Sequence, residues 1–257
     1  VERVVATGLS RVQLALVPLL ESFDEWAGVT DALQSAGIEI VSGMLETIDE
    51  DYSTLESIAK TGGIRRDDLW PMNHDRIEAC VAIAAECDVS LVSLHVGHLP
   101  PTAQESERAT VLERVRTLAE LFQPLDIDVA LETGQESAET LIGVLEELDE
   151  PNLGVNFDPA NVLLYGTDEP LRALERLQPW VRQFHLKDAT PASTPGEWGT
   201  EMRLGEGDVD WDAFIRLARG LNRDIDFIIE CEAGEQRVDD VRHAAETFAA
   251  RWHAIDQ

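Results

Sequence analysis

A parallel (β/α) barrel is the fold this sequence predicts, and three observations predict it. Short apolar runs alternate with stretches of helical period along the chain, which implies a parallel sheet covered by helices. The runs are uninterrupted, as expected of strands buried on both faces. The length, 257 residues, matches one such barrel, and no linker or internal repeat divides residues 1–257, so a single domain is expected.

Residues 1–7 read as the tail of a helix ended by Gly8. Too few residues separate Val5 from Arg11 for a parallel crossover between two strands, which takes about a dozen. Residues 11–17 read as a strand closed by Pro18, residues 23–36 as a helix stopped by Gly37, and residues 38–42 as the next strand. A long loop with a short helix within residues 49–60, and then Gly62-Gly63-Ile64-Arg65-Arg66, leads to a helix over 73–87 with Ile77, Val81 and Ala84 on one face. A strand over 90–96 ends before Pro100-Pro101. Helices over 105–122 and 136–148 flank a strand over 127–132. The strand over 153–157 must stop at Pro159, which leaves Asp158 at its C-terminal mouth. A helix over 170–177, a strand over 181–186, a Gly/Pro/Ser/Thr-rich loop over 189–207, a helix over 211–219, a strand over 227–231 and a helix over 238–252 complete the chain. Seven strands are visible where a closed barrel needs eight. The helix tail before the first of them implies that the first strand lies upstream of Val1 and is absent from this chain. Its absence opens two edges, expected to be covered by loops or by another chain.

Fifty Asp plus Glu stand against twenty Lys plus Arg, a formal net charge of −30, and the lysines are Lys60 and Lys187 alone. Such a surface repels nucleic acid and anionic membranes, whose binding depends on Lys and Arg. We read the acidity as a solubility feature. No apolar run approaches the roughly 18 residues that span a bilayer, and no signal peptide is visible. Cys80, Cys87 and Cys231 are odd in number and lack metal-type spacing. They read as reduced thiols of a cytoplasmic protein.

In a parallel barrel all strand C-termini open on one face, where active sites are built. Glu132, Asp158 and His185 end consecutive strands about one βα unit apart, and Glu230 ends the last strand after the long loop. One such residue alone would read as a loop polar. Four in register on successive strands converge. Three carboxylates and an imidazole suit one divalent ion, Mn²⁺, Mg²⁺ or Co²⁺, with Zn²⁺ open but without a thiolate to favour it.

The motifs Leu131-Glu132-Thr133-Gly134, Asn156-Phe157-Asp158-Pro159-Ala160-Asn161, His185-Leu186-Lys187-Asp188, Leu204-Gly205-Glu206-Gly207-Asp208-Val209-Asp210 and Ile229-Glu230-Cys231-Glu232-Ala233-Gly234 resemble the xylose isomerase-like TIM-barrel superfamily, the sugar phosphate isomerase/epimerase group. Residues 12–96 resemble it in pattern. The resemblance implies that Glu132, Asp158, His185 and Glu230 bind one divalent metal. It implies that Glu132 and Glu230 flank the α-carbon of an open-chain sugar, one removing a proton and the other returning it beside a metal-polarised carbonyl. Ketose 3-epimerases of the group usually carry a Glu, a His and an Arg where this chain has Ala138, Asn161 and Pro191, so their substrate-binding set is not kept.

His95, at the end of the fourth strand counted from the missing one, His98 in the loop beyond it, Asn161, Lys187, Arg203 and Trp198 are the candidate substrate-binding residues. Lys187 points to the same side as His185 by strand alternation and offers a charge for a substrate oxygen or phosphate. Arg203 offers a clamp for a substrate anion, against the blander reading of a surface ion pair worth little. Trp198 offers a stacking face for a sugar, while the other tryptophans read as packing. Asp188 reads as a residue that orients its neighbours, Arg65-Arg66 as a solvated pair, and Gly205-Glu206-Gly207 as a tight turn.

The reading that follows is a metal-dependent sugar isomerase or epimerase. Its partner is a small carbohydrate, with no nucleic acid or membrane, and a homo-oligomer is possible. Alternatives are a lyase or hydrolase of a keto-sugar or inosose on the same site, and a non-catalytic sugar-binding or subunit-interaction protein. A nuclease of the endonuclease IV type shares the fold, but it must bind DNA, which the charge opposes.

Overall fold

The structure, a computed structural model, describes residues 1–100 and 105–255. Strands β1 (Arg11–Ala15), β2 (Glu39–Leu45), β3 (Leu91–Leu94), β4 (Asp128–Glu132), β5 (Leu153–Phe157) and β6 (Val181–Leu186) pair in sequence order and in parallel. Two short strands follow, β7 (Asp188–Thr190) and β8 (Thr200–Met202), and then β9 (Asp226–Ile229). β9 pairs with β6 and completes a seven-stranded, nearly closed barrel, while β7 and β8 form a separate antiparallel pair.

Alternation along the strands sorts the side chains. Phe157, Phe184 and Phe227 face the helices and build an aromatic cluster with Trp211, Phe214, Phe248 and Trp252, with ring centroids 5.0 to 6.5 Å apart. Their neighbours Asn156, Asp158, Gln183 and His185 face the barrel interior and its mouth, and all four are fully buried. At the mouth, Gly63 and Gly97 both take a positive φ, and a Cβ on either would collide with the other loop's backbone. Only glycine permits this approach, which closes with Ile64 N–H donating to Val96 O at 3.1 Å.

The structure revises several boundaries. The helix expected over 23–36 is broken into Phe23–Trp26 and Val29–Ser35, with Gly28 at φ 76° between them, and a separate short helix, Val17–Glu21, precedes it. Pro18 sits in the first turn of a helix, where its missing N–H is not needed, so Val17 leaves the strand. Pro159 likewise opens an unforeseen helix, Pro159–Tyr165. The loop over 189–207 contains most of the β7–β8 hairpin. Pro101 lies outside the described residues.

The edges of β1 and β9 face each other across a groove of about 1180 Å³ lined by Val12, Gln13, Phe227, Ile229 and residues of the first and last helices. Arg11 reaches across it to Asp226. Among the described residues, no helix is long and apolar enough to cross a membrane.

Candidate metal centre and active site

The centre is built where four parallel strands end. Glu132 is the last residue of β4, Asp158 follows β5, His185 lies near the end of β6, and Glu230 follows β9. Each offers one ligand atom, and the four atoms lie within 4.8 Å of one another. His185 Nδ1 stands 3.3 Å from both Glu132 Oε1 and Glu230 Oε2, and 4.0 Å from Asp158 Oδ2.

Local hydrogen bonds hold these groups in place. Asp158 caps the helix Pro159–Tyr165: Ala160 and Asn161 N–H donate to its Oδ1 at 2.8 and 3.1 Å. Asp158 N–H donates to Thr133 Oγ1, and that hydroxyl donates back to Asp158 O, at 2.8 and 3.0 Å. Glu132 Oε1 accepts from Asn161 Nδ2 at 3.0 Å, and His95 Nε2 lies 3.3 Å from the same oxygen.

His185 Nδ1 and Asp158 Oδ2, both buried in the middle of this arrangement, make no hydrogen bond, although the Lys187 ammonium stands 3.2 Å from Oδ2. Buried polar atoms are rarely left so. Both face the centre, and a divalent cation bound by the three carboxylates and the imidazole would satisfy them. The residues present therefore fit a metal, and the oxygen-rich set suits a hard ion.

The electrostatics are those of crowded carboxylates. Desolvation raises the Asp158 pKa, with Lys187 opposing, and leaves it at about 6. Desolvation also works against ionised Glu230, but Lys187 and His185 outweigh it and hold it at about 2. For Glu132 the same burial is overcome by His95 and His185, which keep its carboxyl well below the usual range. In return, Glu132 outweighs the burial of His95 and holds that imidazole up to about 9.

A model of the xylose isomerase-like TIM barrel matches residues 21–251. The chain belongs to the xylose isomerase-like TIM barrel family. In sequence it is similar to 3-dehydroshikimate dehydratase of Bacillus anthracis, 30% identical over 131 residues that make up 45% of this chain and 46% of that protein. The chain thus spans about half the length of the curated relatives it matches. In structure it is similar to a xylose isomerase domain protein from Planctomyces limnophilus, with a TM-score of 0.92 at 26% identity over 99% of this chain and 93% of the other. D-psicose 3-epimerase of Clostridium cellulolyticum H10 superposes with a TM-score of 0.70 at 12% identity over 98% and 92% of the two chains, a likeness of fold.

The other candidates of this xylose isomerase-like barrel divide. Lys187 is buried and donates to Glu230 Oε2 and Glu232 Oε2 at 2.7 and 3.0 Å, with Asp158 Oδ2 at 3.2 Å. Asn161 and His95 touch Glu132, as above. Trp198 packs edge-on against Tyr165 at 4.7 Å, and Tyr165 lies in the field of Lys187 and Glu132. His98 falls elsewhere: burial and Arg65 lower its pKa, and it bonds the backbone of Gln135. Arg203 pairs with Asp240 at 3.1 Å, at the start of the last helix. Asp188 accepts from the backbone N–H groups of Gly205, Gly207 and Val209 and from Trp211 Nε1, and so folds the turn over 203–211.

Sequence reasoning missed Gln13, Asn156, Gln183 and Glu136. The first three are polar residues on the inward face of otherwise apolar strands, a signal that was present in the sequence. Asn156 Nδ2 lies 2.9 Å from His185 Nε2 and 3.4 Å from Glu132 Oε2. Desolvation pushes the Glu136 carboxyl up to about 7 against the pull of His95.

Proposed function

We propose that the chain is a divalent-metal-dependent enzyme that isomerises or epimerises a sugar or sugar derivative by moving a proton next to a carbonyl. The observation that carries this reading is the pair Glu132 and Glu230, each 3.3 Å from His185 Nδ1 and delivered by strands on either side of β6. A bound divalent ion would supply Lewis acidity to the substrate carbonyl. Glu132, Asp158, His185 and Glu230 would hold that ion. One glutamate takes the α-proton, and the other, itself protonated, delivers a different proton from the opposite face. His95 Nε2, 3.3 Å from Glu132 Oε1, is placed to relay a proton between that carboxylate and solvent. Lys187 holds the carboxylates of Glu230 and Asp158 in place, and Trp198 with Tyr165 forms an aromatic wall for the sugar. Lys187 and Arg203 are both engaged by carboxylates, which favours an uncharged sugar over a phosphate ester.

The test is solvent exchange. With Mn²⁺ present, the wild-type protein incorporates deuterium at the α-carbon of a free keto-sugar, and Glu132→Gln does not. Metal uptake with no exchange across a keto-sugar panel would sink the catalytic reading and bring forward a non-catalytic sugar-binding protein.

A second reading, a lyase or hydrolase of a keto-sugar or inosose on the same centre, is favoured by Glu136. Its carboxyl at about 7 is a proton donor for a departing hydroxyl near neutral pH, and the relative in Bacillus anthracis is named a dehydratase. Loss of water or carbon from the product, rather than a stereoisomer, decides for it.

A further inference from the structure

We infer that Gln13, on the edge strand β1, is a positioning residue for the metal centre: its side-chain oxygen holds the Nε2–H of His185 and so turns Nδ1 toward the ion. This rests on the reading of the four residues as a metal site.

His185 can serve the centre only through Nδ1, the atom that faces Glu132 and Glu230. An imidazole that ligates through Nδ1 carries its hydrogen on Nε2, and the group that accepts that hydrogen fixes both tautomer and ring orientation. His185 Nε2 lies 2.9 Å from Gln13 Oε1. The Gln13 amide is not free to present either end. Its Nε2 donates to Gln183 Oε1 at 2.7 Å and to Ser93 Oγ at 3.0 Å. Gln183 Nε2 in turn donates to Ser42 Oγ at 2.8 Å. Both amide hydrogens of Gln13 are thus committed inside the barrel, and its oxygen is what remains for His185.

The ladder runs from β2 and β3 through β6 to β1, across the barrel interior below the centre. Reversing both amides together would aim a Gln13 N–H at His185 Nε2 and drive the ring hydrogen onto Nδ1, where it would oppose the ion. Asn156 completes the arrangement. Its Nδ2 approaches the same ring nitrogen while its buried Oδ1 has no partner. Turning that amide over would offer the Nε2–H a second acceptor, at the expense of the 3.4 Å hydrogen bond from Nδ2 to Glu132 Oε2.

The experiment titrates the full chain with Zn²⁺ by calorimetry in wild type, Gln13→Leu and Gln13→Glu, and records the imidazole ¹⁵N spectrum of the Zn²⁺-loaded wild type. Gln13→Leu is expected to weaken Zn²⁺ binding roughly ten- to a hundredfold, the range seen when a ligand's outer partner is lost. Gln13→Glu keeps an acceptor and is expected to restore most of the affinity, which a purely structural role would not produce. In the loaded wild type, His185 is expected to carry its hydrogen on Nε2. Unchanged affinity in Gln13→Leu, or a hydrogen on Nδ1 of the loaded ring, overturns the inference while leaving the metal site standing. A wild type that takes up no Zn²⁺ overturns the metal-site reading itself, and this inference with it. Should Gln13→Leu fail to fold, the wild-type spectrum and the Gln13→Glu affinity still decide.

Discussion

Side chains delivered by β4, β5 and β6 stand in the dry middle of the sheet, whereas those delivered by β1 and β9 stand at its open edges. Asp158 and His185 are wholly inaccessible, while the Glu230 side chain keeps 17% of its surface exposed. Every residue of β5 is buried, whereas every residue of β9 keeps part of its surface exposed. β5 has a partner strand on each side, and β9 pairs with β6 alone. A carboxylate in the middle is fixed by capping and backbone bonds. The one at the edge is held mainly by Lys187. The same kind of ligand thus arrives in two ways, pre-set on one side of the centre and tethered on the other.

Lys187 joins the two regions, so removing it should have the largest effect. Lys187→Met leaves Asp158, Glu230 and Glu232 facing one another without their cation. The metal-free protein should lose about 3–5 kcal/mol, the usual result of stranding buried charge, and added Mn²⁺ should recover part of it. Urea unfolding with and without metal measures both. An unchanged midpoint would mean that the edge carboxylate does not depend on the tether.

Asp158→Asn tests the pre-set side. Asparagine caps a helix as well as aspartate does, so stability should hardly move. Metal affinity should fall by more than roughly 100-fold, the upper end for losing an outer partner alone. Metal content and circular dichroism on the same sample separate the two effects.

Desolvation can be probed at Glu136, a part-buried residue in the turn after β4. Its folded pKa of about 7 lies above the ordinary 4.5. As pH rises through that window, the folded protein keeps a proton that the unfolded chain releases, so stability falls and then levels off above pH 7. Glu136→Gln should remove about 2 kcal/mol of that decline between pH 5 and pH 8. Parallel pH profiles of wild type and variant would dispose of the idea.

The smallest effect is expected at the edge ligand. Glu230→Gln should weaken Mn²⁺ by roughly tenfold, below the loss at Asp158, because a group near solvent is replaced by water more readily. Equal losses at the two positions would erase the contrast between the regions.

The same contrast explains what could be read from the chain. Glu132, Asp158, His185 and Glu230 were legible because each ends an apolar run, and runs of that kind must be strands buried on both faces. Gln13 and Gln183 carry an equally plain signal, a polar side chain inside such a run, but the partners that give it meaning lie on other strands. Pro159 was read as a stop, and the same property made it the first residue of a helix. The break at Gly28 follows from a local turn that helical period does not report. His98 and Arg203 sit on loops, where no periodicity fixes direction, and each found a nearer partner than the substrate face.

The cap on the helix Pro159–Tyr165 has a consequence for ion choice. Asp158 spends Oδ1 on two backbone N–H groups, and Oδ2, beside Lys187 at 3.2 Å, is the oxygen it has to give. It is a one-toothed ligand by construction, since chelating with both oxygens would uncap the helix. Calcium, which gathers six to eight oxygens and favours carboxylates gripping by both, should therefore be the poorer guest here. Magnesium and manganese, content with six, should displace it.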